Sequence, residues 1–101
     1  MSKFQTKVIK EYESKGYYVI NLTRTNKQGI ADLLCLKENE KPLFIECKEM
    51  TDTIKPLQVY RAKEVLKYGC EHIFLKDSSK NNFLEIKEKL IAQGVNLVCA
   101  K

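Results

Sequence analysis

Two carboxylates and one lysine define what chemistry this chain could do. Asp32 lies inside the apolar run Ile30-Ala31-Asp32-Leu33-Leu34-Cys35-Leu36, and Glu46 and Lys48 close the run Leu43-Phe44-Ile45-Glu46-Cys47-Lys48. Strand side chains alternate faces, so Phe44, Glu46 and Lys48 share one face while Leu43, Ile45 and Cys47 share the other. The polar stretch 37–42 joins the two runs as a hairpin. With the turn centred near Asn39 and Glu40, Asp32 falls almost opposite Glu46. Two carboxylates and an ammonium then converge on one patch. Carboxylates that close repel each other, and a hard divalent cation resolves the conflict. The competing reading is a solvated strand face on which acidic and basic residues simply alternate. Asp within an apolar strand is less ordinary, because Asp is depleted in strands and rarely buried unpaired.

The elements that must position these groups are legible in order. Residues 2–15 read as a helix: Ser2-x-x-Gln5 resembles a capping box, Phe4, Val8, Ile9 and Tyr12 recur at helical spacing, and Gly16 can close the end. Residues 17–22 are a strand by aromatic and β-branched content, and 23–29 a polar loop. The hairpin follows, then a loop over 49–55. Pro56 suits the first turn of a helix running to about Tyr68 and ended by Gly69, with Lys55 a poor cap before it. Residues 71–76 form a fourth strand. Asn82-x-x-Glu85 can cap a last helix carrying Phe83, Ile86 and Leu90 on one face, with Gly94 beyond it and a final strand over 95–99. The order α-β-β-β-α-β-α-β, a meander followed by helix crossovers, implies an α/β fold: a mixed sheet flanked by helices.

Composition sets the outer bounds. A chain of 101 residues is read as one domain, 1–101, with a single core. Net charge is +5, from 18 Lys and Arg against 13 Asp and Glu, which is compatible with a polyanionic partner without identifying one. Cys35, Cys47, Cys70 and Cys99 contain no C-x-x-C pair and read as small thiols rather than disulfides or zinc ligands. His72 stands alone and builds no histidine metal site. No segment reaches membrane-span length and the first residues do not open a signal peptide, so a cytoplasmic protein without membrane association is expected.

With these pieces in place the chain resembles a PD-(D/E)xK nuclease, most closely the small VRR-NUC type, which is similar to Holliday-junction resolvases and stand-alone phage nucleases. The matching residues are Gly29-Ile30-Ala31-Asp32, Phe44-Ile45-Glu46-Cys47-Lys48, Pro56-Leu57-Gln58 opening a helix, and Gly69 ending it. The match spans about residues 16–76. Ala31 replaces the proline that names the superfamily, and Lys55 stands where such sequences often carry a Ser or Thr cap. Neither change removes a catalytic group.

The resemblance implies a restriction-endonuclease-like fold and a metal-dependent endonuclease acting on DNA, structure-selective for branched or junction substrates, in a bacterial or phage-infected cell. It assigns catalysis to Asp32, Glu46, Lys48 and Gln58. Mg²⁺, with Mn²⁺ as a substitute, would be held by Asp32, Glu46 and the backbone carbonyl of Cys47. Lys48 would orient the attacking water, with a simple salt bridge to either acid as its bland alternative. Glu11 is a candidate extra acid, against an ordinary solvated glutamate. Arg24, Lys27, Gln28 and Arg61 are candidate phosphate-backbone contacts, which give affinity without sequence information. Junction cleavage needs two symmetric cuts, so a homodimer is expected, with the strand over 95–99 or the helix before it as its surface. The alternatives are a non-catalytic nucleic-acid-binding module on the same fold and a protein-interaction domain with a basic surface.

Overall fold

The computed structural model describes residues 2–49, 51–77 and 94–100. Helix α1 spans Lys3–Ser14, followed by strands β1 (Tyr18–Asn21), β2 (Leu33–Leu36) and β3 (Leu43–Lys48). Helix α2 (Pro56–Lys67) and strands β4 (Glu71–Asp77) and β5 (Asn96–Ala100) complete the described elements. The expected helix after Asn82 lies outside the described residues. The result is a small α/β protein with a mixed five-stranded sheet in the order β1-β2-β3-β4-β5. The first three strands pair antiparallel, and β3, β4 and β5 run parallel.

Each helix covers one face of the sheet. α1 starts at Ser2, whose hydroxyl accepts from the Gln5 amide at 3.0 Å, so the serine of the capping signal satisfies one free N–H. Its Phe4 and Val8 pack on Leu33, Cys35, Leu43, Ile45 and Leu75. α2 lies on the other face, where Ala62 packs with Phe74, Val95 and Leu97. Glu46 and Lys48 have the strand parity of this second face.

The hairpin turn fixes where the acids meet. The Glu40 amide donates to the Lys37 carbonyl at 3.2 Å, and Asn39 takes a left-handed φ of 64°, a conformation Asn tolerates better than most residues. The resulting register pairs Leu33 with Ile45, Leu34 with Phe44 and Cys35 with Leu43. Continued by one step, it sets Asp32 against Glu46. A slip of one residue would send Glu46 to the α1 face, so the turn and the acid pair are one feature.

Two strands are shorter than expected. β1 covers Tyr18–Asn21, and β2 begins at Leu33 rather than Ile30. The reason is local: the Asp32 carboxylate, not a backbone carbonyl, accepts the Cys47 N–H at 2.8 Å, and the ladder ends there. The Asp32 carbonyl still accepts from Leu22 N at 2.8 Å, which ties the residue to the β1 side.

Candidate active site

Glu46 and Lys48 do not lie on a solvated face. They are 5 % and 6 % exposed, and in the β3–β4 ladder Glu46 stands beside the fully buried Phe74. Lys48 Nζ is 4.0 Å from Glu46 Oε2, the outer limit of an ion pair. Gln58, in the first turn of α2, sends its Nε2 toward the same oxygen at 3.5 Å. Its Oε1 accepts from Lys55 N at 2.9 Å, so the amide is fixed by the helix start it caps. This settles how α2 begins without a Ser or Thr at Lys55: the side chain at the third helical position reaches back to the free N–H.

With both acids ionised, one lysine would leave a net negative charge in a buried place. Burial, and then the Asp32 charge, push the Glu46 carboxyl up to about 8, while Lys48 pulls it down and a hydrogen bond with Asp32 and the charge of Asp52 add to the rise. Such an acid holds its proton at neutral pH unless a cation replaces it. Two neighbouring carboxyl groups, with the Cys47 carbonyl on the same short stretch of chain, are a donor set that suits Mg²⁺, which takes few protein oxygens and keeps several waters. The described residues contain no group of three or more His, Cys, Asp or Glu placed to hold a metal. The Cys47 thiol is no part of the donor set: it packs on the α1 face, and burial and then the neighbouring acids push it up to about 12.

The acids open into a cleft of about 410 Å³. Ser2 and Gln5 from the start of α1 form one side, and Thr51, Asp52, Thr53 and Lys55 from the β3–α2 loop form another. The loop is held from beneath by Lys76, only 5 % exposed, whose Nζ donates to the carbonyls of Asp52 at 2.9 Å and Glu49 at 3.3 Å. Asp52 Oδ2 in turn accepts from Glu49 N at 3.0 Å. Sequence reasoning missed Lys76, Gln5 and Asp52. The available signal for Lys76 was a lysine ending the apolar run Ile73-Phe74-Leu75, with the same parity as Phe74.

The remaining candidates separate. Asp32, Glu46, Cys47 and Lys48 line the cleft, and Gln58 borders Glu46. Glu11 is exposed on α1 and does not line the cleft, which Gln5 reaches from two turns nearer the start of the helix. Arg24, Lys27 and Gln28 are exposed on the loop that leads to Asp32. Arg61 is engaged within the fold: Nε donates to the Gln28 carbonyl at 2.8 Å, and a terminal nitrogen meets Glu64 Oε1 at 2.9 Å. Gly29 completes the same junction with φ +81°, since a Cβ there would lie 2.7 Å from Leu57 Cγ. Loop and helix thus form one wall beside the acids.

No protein-family model matches the chain, and no curated protein matches it in sequence. The functional reading rests on the site's own geometry.

Proposed function

We propose that this chain is a Mg²⁺-dependent endonuclease of the PD-(D/E)xK superfamily, VRR-NUC type, on a restriction-endonuclease-like fold, hydrolysing phosphodiester bonds in branched or junction DNA. One observation carries the reading: the hairpin register sets Asp32 against Glu46 with the buried Lys48 ammonium beside them. A structural ion pair would need one acid and one base. Here Glu46 has a second acid, Asp32, next to it and meets Lys48 only at 4.0 Å, an arrangement with room for a divalent ion.

Asp32, Glu46 and the Cys47 carbonyl would hold Mg²⁺, which when bound supplies Lewis-acid polarisation of the phosphate and eases deprotonation of water. Lys48, nearly enclosed and directed toward the acids, orients the attacking water and offsets the charge that gathers on the phosphate oxygens in the transition state. Gln58, fixed through Lys55 N, holds the Glu46 carboxylate in place. Lys76 keeps Glu49 and Asp52, and with them the cleft wall, at a set distance from β3. Two copies meeting at the β5 edge of the sheet would supply the paired cuts a four-way junction needs.

Lys48→Ala and Asp32→Asn test the division of labour. Lys48→Ala is expected to keep Mg²⁺ binding, read by calorimetric titration, and to lose cleavage by roughly a hundredfold or more. Asp32→Asn is expected to lose both. Nucleic-acid binding without cleavage in the wild type, unchanged by Asp32→Asn, would favour a non-catalytic binding module instead.

A further inference from the structure

The wall formed by the 23–29 loop and α2 carries more than the cleft requires. Tyr60 is 59 % exposed on the second turn of α2, and Leu57, one turn before it, is 43 % exposed. An exposed tyrosine is ordinarily a loose side chain. Here the Arg61 guanidinium lies 5.5 Å from the Tyr60 ring centroid, in cation–π range. That guanidinium is itself fixed by its bonds to the Gln28 carbonyl and Glu64. The ring is thus backed on one side by a fixed cation, and much of the rest faces solvent.

The surroundings are basic. Arg24 and Lys27 are exposed on the loop that Arg61 grips, and Lys63 and Lys67 are exposed further along α2. Glu64, the acid of this region, is taken up by Arg61. Both elements border the cleft: the loop leads to Asp32, and α2 starts directly after Lys55, which lines it. Gln58 faces Glu46 while Tyr60 lies on the outer side of the helix, so a strand bound at the acids would cross the first turn of α2 to meet an aromatic face and cations for its phosphates.

We infer that Tyr60 is a stacking platform for an unpaired base, and that the wall of loop 23–29 and α2 binds a single-stranded segment of nucleic acid continuous with the cleft. This rests on the reading of the cleft as a nuclease site and narrows its substrate to DNA with unpaired nucleotides next to the cut, such as a flap or an opened branch. Every base offers a π-face, so stacking on Tyr60 is indifferent to sequence, and the lysines and Arg24 follow the backbone.

The test measures binding without divalent ions, so cleavage plays no part. A short single strand and a flap, each carrying 2-aminopurine in the unpaired segment, are titrated with wild type, Tyr60→Ala and Tyr60→Phe. Wild type and Tyr60→Phe are expected to quench the base on binding, and Tyr60→Ala to lose the quench and bind roughly tenfold more weakly. Continuous duplex should bind wild type and Tyr60→Ala equally. Quenching and affinity unchanged in Tyr60→Ala would overturn the inference, as would an equal loss on duplex and single strand. Self-association lost in Tyr60→Ala by light scattering, with DNA binding intact, would assign the patch to protein contact and likewise overturn it. Failure of the nuclease reading shows elsewhere, as wild type that binds and quenches yet cleaves nothing with Mg²⁺.

Discussion

At the scale of single residues, Glu46 is built against the stability of the metal-free protein. Its carboxyl binds a proton more tightly folded than unfolded, because burial and Asp32 penalise the anion. Folding then takes up a proton over the window between the ordinary value of 4.5 and about 8, so metal-free stability is greatest at the acid side and falls as pH rises through it. Glu46→Gln, which needs no proton, is expected to raise the melting temperature of the metal-free protein at pH 8 and to abolish stabilisation by Mg²⁺. A melting temperature unchanged at pH 8, with Mg²⁺ stabilisation retained, would remove Glu46 from the site. The acids and Lys48 were legible in the sequence because strand parity and a short turn fix their faces. Lys76 was not, because its burial depends on β4 lying beside β3 and on carbonyls of a loop remote in sequence.

At the scale of elements, the site depends on how α2 meets the loop before β2. Gly29 has a positive φ and no room for a Cβ against Leu57, so Gly29→Ala carries both backbone strain and a clash. A loss of about 1–3 kcal/mol in unfolding free energy is expected, read by urea denaturation, with weaker Mg²⁺ binding as the Asp32 approach shifts. Full stability would mean that the loop does not dock as described. Periodicity placed α2 and α1 within about a residue of their ends, yet it could not say how far along the sheet each helix sits. That axial placement is why Gln5 reaches the cleft and Glu11 does not. It is also why Arg61 joins α2 to Gln28. The short β2 has a separate origin, a side chain taking over a ladder bond.

At the scale of the whole molecule, pH acts on two buried groups with opposite signs. His72 is 1 % exposed, its Nδ1 has no hydrogen-bond partner among the described residues, and burial lowers its pKa from 6.5 to about 4. The unfolded chain therefore binds the extra proton, and stability falls as pH drops from about 6.5 to 4, by about 3 kcal/mol at most. In the metal-free protein the two slopes oppose each other between about 4.5 and 6.5, so His72→Phe is expected to unmask the Glu46 decline from about pH 4.5 upward; a pH profile unchanged in the variant would place its origin elsewhere. The α/β class and the mixed sheet followed from element order, since a meander followed by crossovers leaves few arrangements. Among the described residues no helix is long and apolar enough to cross a membrane.

The central claim is that the Asp32–Glu46–Lys48 cleft cuts DNA with a divalent ion. The direct measurement is cleavage of end-labelled four-way junction, flap and plain duplex DNA by the purified chain, with Mg²⁺ and with chelator in excess, beside Asp32→Asn. Cleavage of branched or flapped DNA that needs Mg²⁺ and is absent in Asp32→Asn is the expected result. Folded protein that cleaves none of these substrates with Mg²⁺ or Mn²⁺, or that cleaves them equally well in chelator, would contradict it.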